Sequence, residues 1–310
     1  MQFRVSPSPH IHAKDTTARI MLDVIVALMP CVAAGIWVFG WHAALVVGLS
    51  VIFCVLTEFL CQKIGKRPLH INDLSAVVTG IILGLNLPSS APWWMILIGS
   101  VVAIGLVKEL FGGIGDNFLN PALTARAVLL ASWPARMSAS AFVTNSRFGF
   151  DAVSSATILS AEGQDLGYTM IDMLVGRIPG TIGEVCKVAI LIGFVWLLAR
   201  RVISWHIPVV MVGTFMLAIW AFGGNPIEGV LTGGILFGAV FMATDYVTSP
   251  MTRWGQVIYA AGAGLLVALI RRFGSYPEGV TYAILLMNIA TPLIDKAIRP
   301  RIYGEVKEHA

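Results

Sequence analysis

Charge is what this sequence has least of. Only 12% of its 310 residues are Asp, Glu, Lys or Arg, against roughly 25% in an average soluble domain. That shortage excludes a water-soluble two-domain enzyme, the class that length alone would suggest. Disorder is excluded too, because 57% of the side chains are apolar and the mean hydropathy is +0.81. Cysteine is sparse: Cys31, Cys54, Cys61 and Cys186 form no C-x-x-C pair and have no histidine cluster nearby, so the chain does not carry an iron–sulfur cluster by itself. They read as small buried hydrophobes, with a metal site shared with a partner subunit as the lesser alternative. A Rossmann glycine fingerprint is lacking, which leaves nicotinamide cofactors to other chains. The pI of about 9.0 does not point to nucleic acid, since the positive-inside rule of membrane proteins accounts for the basic residues.

What remains is an integral membrane protein whose partner is the lipid bilayer. Ten apolar segments of spanning character lie near 20–40, 42–61, 73–88, 92–110, 119–134, 184–200, 205–223, 226–243, 255–271 and 278–298. The 19 mostly polar residues before the first of them are too long a leader for a secretory signal, so that segment is a retained span. Most connections are short, the exception being residues 135–183. An even number of spans puts both termini on one side. Fourteen of the 21 Lys and Arg residues, among them Lys63, Lys66, Arg67, Arg200, Arg201 and Lys296, fall on that side, which makes it cytoplasmic. The long connection is then on the outer face.

The two halves resemble each other weakly but in order. Thr79-Gly80-Ile-Ile-Leu-Gly84 parallels Thr232-Gly233-Gly-Ile-Leu-Phe-Gly238, and each is followed by a polar stretch, around Asn86 and Asp245 respectively. Trp94 and Phe111 correspond to Trp254 and Phe273 at an offset of about 160. Five spans per repeat is an odd number, so the repeats have opposite topology. The expected fold class is an all-α polytopic membrane protein of about ten transmembrane helices in two inverted five-helix repeats, with one outer loop region carrying function. Its divisions are a cytoplasmic tail (1–19), the first repeat (20–134), the outer loop (135–183), the second repeat (184–298) and a second cytoplasmic tail (299–310). The third span is about 22 Å long as a helix, too short for a hydrocarbon core of roughly 30 Å. Paired short segments in an inverted repeat point to discontinuous helices that meet at a midplane ligand, with Asn86 and Asp245 lining the cavity. The plainer reading is that the glycines only let helices pack closely.

The outer loop contains Phe150-Asp151-Ala-Val-Ser154-Ser155-Ala156-Thr157. Small neighbours leave a hydroxyl accessible to a modifying enzyme, although serine- and threonine-rich loops are commonly turns and caps. Three further segments are distinctive: Phe3-Arg-Val-Ser-Pro-Ser-Pro-His10, Ile20-Met-Leu-Asp-Val-Ile-Val-Ala-Leu-Met-Pro30 and Gly115-Asp-Asn-Phe-Leu-Asn-Pro-Ala122. With the Asp-x-x-Ser-x-Ala-Thr motif, these resemble the NqrB/RnfD family in order along the chain, and the short leader and compact length are more similar to the RnfD branch.

The resemblance implies a cofactor and its residues. Thr157 would carry covalent FMN through a phosphoester, and Asp151, Ser154, Ser155 and Ala156 would form the motif recognised by a flavin transferase. Ser155 stands where the family usually has glycine. Asn117 and Asn120 match asparagines that in relatives contact a second, noncovalent flavin, with riboflavin as the candidate; amides suit a flavin's pyrimidine edge. The same two residues also suit a cap at the start of the fifth span, before Pro121. A tethered flavin can pass electrons singly, while the protein supplies position and electrostatics.

Ionisable residues at membrane depth are default functional candidates. Asp245 ranks first, after the Gly-rich half-span, and Asp23, Asp73 and Asp116 are further candidates for an ion path. Glu58, Lys108, Glu109 and Asp295 also qualify by position, although Lys108 and Glu109 read as interfacial groups that snorkel or cap. The family resemblance implies a non-catalytic membrane subunit of an Rnf-type translocase, relaying electrons between ferredoxin and NAD with movement of Na+ or H+. Two alternatives stand beside it: a solute channel or carrier of urea-channel-like layout, and a compact NqrB-like subunit that reduces quinone.

Overall fold

The computed structural model describes residues 16–69, 71–137, 169–274 and 279–298. Throughout these the chain is helical, and among them there is no strand. The protein is an all-α polytopic membrane protein.

The first half runs α1 (Thr17–Phe39), α2 (Trp41–Ile64), α3 (Ser75–Leu85), α4 (Trp93–Ser100, continuing as a π-helix over Val101–Glu109) and α5 (Pro121–Ser132). Two short helices, α6 (Pro134–Met137) and α7 (Met170–Val175), flank residues outside the description. The second half runs α8 (Lys187–Ala199), α9 (His206–Ala221), α10 (Pro226–Leu231), α11 (Ile235–Phe237, continuing as a π-helix over Gly238–Met242), α12 (Arg253–Phe273) and α13 (Val280–Ala297). Every apolar segment expected from sequence holds a helix, but continuity differs. Among the described residues, only α1, α2 and α12 are both long and apolar enough to cross a membrane by themselves. The short third span is α3, 11 residues or about 16 Å. The eighth is broken at residues 232–234. Two more helices, α5 and α8, are also short, at 12 and 13 residues, shorter than the expected spans 119–134 and 184–200.

Local chemistry sets the ends. Thr16, Asn120 and Thr252 cap α1, α5 and α12 by accepting backbone N–H bonds, and Pro121 occupies the first position of α5, where its missing N–H costs nothing. Gly40, at φ +74, lets the chain reverse between α1 and α2. Ahead of α3, Leu74 is left-handed (φ 64) and the Asp73 carboxylate accepts from Ser75 N–H at 2.8 Å.

The helices pack in matching pairs. α2 lies along α3 and α4, as α9 lies along α10 and α12; α4 contacts α5, as α12 contacts α13. Between the halves α1 meets α8 and α5 meets α13, the self-paired contacts that a two-fold relation produces. Glycine permits several of these approaches. A Cβ at Gly80 would lie 2.7 Å from Val51 Cα, and one at Gly84 2.9 Å from Val47 Cα, so these glycines do serve close packing of α3 on α2. Gly193 of α8 sits against the Ala27 carbonyl of α1 in the same way, 2.4 Å from a built Cβ. Large apolar side chains such as Leu22, Met29, Ile52 and Leu56 face outward, as a lipid-facing surface requires.

Candidate functional site

The ends of the two interrupted helices meet inside the protein. The Asn86 amide, just past α3, donates to the Ile82 carbonyl at 2.7 Å and points its nitrogen at Met242 Sδ, 3.9 Å away at the end of α11. Asn120 donates to the Met242 carbonyl at 3.2 Å while its oxygen caps α5 at Leu123 N–H, also 3.2 Å. Asn288 of α13 accepts from Asn120 N–H at 3.2 Å and holds the Tyr259 hydroxyl at 2.7 Å. Arg126, one and a half turns into α5, donates to Asn86 Oδ1 and to Glu184 Oε1, the latter at 2.9 Å. Side chains from both halves thus form one polar chain through a region otherwise filled by Leu83, Leu85, Phe237 and Ile284. In such surroundings an unpaired polar group is costly, so the members hold one another in place.

A cavity of about 140 Å³ opens beside this chain. Its apolar walls are Ile20, Met21 and Val24 of α1, Val78 and Ile82 of α3, Leu197 at the end of α8, Val202, and Val240 and Phe241 of the second π-helix. Its polar groups are Ser75, Thr79, Lys108, Asn117, Asn120, Thr244, Asp245 and Tyr246. An apolar pocket with a few convergent polar groups is the general form of a small-molecule site. It lies at the helix ends where α1 begins and α8 finishes.

At the cavity's edge a buried ionic cluster joins α2, α3 and α4. Glu58 and Gln62, one turn apart on α2, face the last turn of α4. Lys108 bonds Glu58 and the Ser75 hydroxyl, and that hydroxyl in turn donates to Asp73 at 2.6 Å. Glu109 accepts from Gln62 Nε2 at 3.2 Å, and its carbonyl accepts from Arg67 at 2.9 Å. Lys108 and Glu109 are therefore buried and paired, at 3% and 7% exposure, where the sequence suggested snorkelling. The π-helical winding, visible in i+5 bonds from Leu110 N–H to Gly105 and from Gly113 N–H to Lys108, is the kind of local irregularity that marks functional segments.

The sequence candidates fall into groups. Asn117, Asn120 and Asp245 line the cavity. Asn120 does cap α5, yet each end of its amide keeps one further hydrogen-bonding valence. Asp73 is linked to the cavity wall through Ser75. Asp245 accepts from Thr248 at 3.1 Å. Asp23 is instead held by Arg200 in a two-pronged pair at 3.1 and 3.2 Å on the α1–α8 rim. Asp116 is exposed, its carboxylate packed against Gly112, where a Cβ would come within 2.4 Å. Asp295 accepts from Met251 N–H at 3.3 Å. One expectation is corrected: Asn86 does not line the cavity, because Ile82 forms the wall and Arg126 holds the amide behind it. Asp151, Ser154, Ser155, Ala156 and Thr157 lie outside the described residues. Sequence reading missed Arg126, Glu184 and Lys187, lone charges in apolar or small-residue surroundings whose partners are remote along the chain.

The family model described as "NQR2, RnfD, RnfE family" matches residues 4–304. Among curated proteins, the D-type subunit of the Na(+)-translocating ferredoxin:NAD(+) oxidoreductase complex of Acetobacterium woodii is 47% identical over 99% of this chain and 97% of its own length. Its counterpart in the proton-translocating ferredoxin:NAD(+) oxidoreductase complex of Clostridium ljungdahlii is 42% identical over 97% of this chain and 96% of its own. The D-type subunit of the ion-translocating oxidoreductase complex of Citrobacter koseri is 36% identical, covering 98% and 99% respectively.

Proposed function

Because the chain belongs to the NQR2, RnfD, RnfE family, we propose that it is the D-type membrane subunit of an ion-translocating ferredoxin:NAD+ oxidoreductase complex. The observation that carries this reading is identity of 42–47% along nearly the whole length of two relatives so named. Such a subunit is a relay and not a complete enzyme. Ferredoxin and NAD dock on other subunits, and both termini of this one lie in the cytoplasm. One of the two relatives is named for sodium and the other for protons, so the coupling ion is taken here as Na+ or H+.

In this reading Thr157 carries FMN as a phosphoester, attached by a flavin transferase that reads Asp151, Ser154, Ser155 and Ala156. The flavin supplies one- and two-electron redox chemistry, and the ester keeps it from being lost to a dilute outer compartment. The cavity by Asn117 and Asn120 is the place for a second, noncovalent flavin. Its residues fit in kind: free amide valences, hydroxyls of Ser75, Thr79 and Thr244, and apolar walls.

The test is direct. After denaturing electrophoresis, the subunit from cells that contain the transferase should fluoresce as a flavoprotein, and its intact mass should include FMN localised to Thr157. Thr157→Val should remove both signals. A non-fluorescent wild-type band would overturn the covalent relay while leaving the family assignment untouched.

A further inference from the structure

The second half-helix is interrupted where its freed carbonyls have little water to turn to. α10 ends at Leu231, Thr232 is extended, and Gly233 takes φ +72 before α11 begins at Ile235. Backbone oxygens released at such a break need donors from the protein. Two cations supply them. Arg271 of α12 donates to the Gly229 carbonyl at 2.6 Å and to the Thr232 carbonyl at 3.3 Å. Lys187, the first residue of α8 and 1% exposed, donates to the Gly233 carbonyl at 2.8 Å and to the Glu184 carbonyl.

Glu184 closes the same place. A Cβ on Gly234 would stand 2.7 Å from the Glu184 carboxyl carbon, so only glycine admits the carboxylate there. Its Oε1 is taken by Arg126, and the buried carboxylate also bonds the Thr181 side chain. Thr181, three residues earlier, is fully buried, and its carbonyl accepts from Glu184 N–H at 3.2 Å. Around the break, then, are main-chain carbonyls, a carboxylate and a hydroxyl, all hard oxygen donors. Unwound carbonyls at a discontinuous helix are a common cradle for a monovalent cation in membrane proteins, and hard cations prefer such oxygens.

We propose that this break is a monovalent-cation site, formed by the Gly233 and Glu184 carbonyls with the Glu184 carboxylate, which the chain fills with its own Lys187 ammonium and which takes Na+ once that ammonium is removed. A single charge is replaced by a single charge, so the cluster keeps its balance with Glu184. The tethered cation cannot leave, which makes this half of the protein a closed site and routes any exchangeable ion elsewhere.

The experiment compares thermal unfolding of the full chain, purified with whatever subunits accompany it, in NaCl and in choline chloride of equal ionic strength. Any other sodium site contributes equally to wild type and variant. Lys187→Ala should lose stability in choline and regain, in NaCl, a saturable shift about 5 °C larger than the wild-type difference, since an ion bound only by the folded state raises its melting temperature. Adding Glu184→Gln to Lys187→Ala should abolish that recovery. Equal loss in both salts, or no loss in choline, would overturn the proposal. So would a variant that accumulates in neither salt while Lys187→Arg accumulates, because a sodium-competent cage would be refilled in sodium-grown cells.

Discussion

The turn ahead of α3 and the break between α10 and α11 belong to corresponding spans of the two halves, the third and the eighth, and they are filled with opposite charge. Before α3, Asp73 and Glu58 share one ammonium, Lys108, through the Ser75 hydroxyl. Between α10 and α11, two cations, Lys187 and Arg271, serve the carbonyls, and a third, Arg126, takes the Glu184 carboxylate. Ser75 and Lys108 belong to the cavity wall, whereas none of the residues at the second break does. The same architectural problem, unpaired backbone inside a membrane, is thus solved once with acids near an opening and once with cations sealed away from it. A cation entering the cavity meets hydroxyls, Asp245 and the Glu58–Lys108 cluster. The second break offers it nothing that is vacant.

The largest effect should come from Arg126, which joins the two regions by holding Asn86 on one side and Glu184 on the other. Arg126→Leu leaves a buried carboxylate unpaired, a loss of about 3–5 kcal/mol for a pair of this kind. The expected outcome is severe depletion of the subunit from membranes and a depressed melting temperature. Arg126→Lys should recover only part: both bonds leave from one guanidinium nitrogen, Nη1, and the shorter lysine does not carry an ammonium to that position. A stable Arg126→Leu protein would break the comparison, because the sealed region would then not depend on its ion pair.

Next in size is the acid-rich region. Lys108→Met strands Glu58, whose second oxygen already lacks a partner, and should cost about 3–5 kcal/mol. Adding Glu58→Gln should return about 1–3 kcal/mol of that, the coupling expected for contacting groups. A thermodynamic cycle over the four proteins measures it. If the double variant regains stability and ion-coupled turnover together, the acids near the opening are structural. Stability regained with turnover still lost would place the exchangeable ion beside Glu58 and sharpen the contrast with the sealed break.

Much of the scaffold was legible because apolar length and glycine placement are local signals. The ten segments, the short third span and the cap at Asn120 follow from residues within a few positions of each other. The polar interior was less so, because its bonds join distant residues: Arg126 to Glu184 spans 58 positions and Asn86 to Met242 spans 156. A count of basic residues treats Lys187 as one more cation off the cytoplasmic side. It cannot distinguish a solvated loop lysine from an ammonium spent on two buried carbonyls. The glycines carried two readings at once, and the structure keeps both: Gly80 and Gly84 pack on α2, while the polar ends beyond them gather at Met242. The shortness of α5 and α8 was marked at their ends, by Asn120 and Pro134 around α5 and by Glu184 and Arg200 around α8, but a count of apolar length runs through such single residues.

The smallest effect should fall on Asp23, which position alone made an ion-path candidate. Its carboxylate meets Arg200 through three hydrogen bonds of 3.1–3.2 Å, but the arginine side chain is 39% exposed, and pairs so placed contribute about 0–1 kcal/mol. The α1–α8 contact beneath does not need them, because Gly193 already sits on the Ala27 backbone and close van der Waals packing supplies the attraction. Asp23→Asn should therefore lower the melting temperature by no more than about 2 °C, and 1 M salt should erase most of the difference by screening. Ion-coupled turnover should remain near that of the wild type. Loss of turnover with stability intact would move Asp23 from the rim into the ion path, and the acid-rich region would then extend across α1 to the second half of the protein.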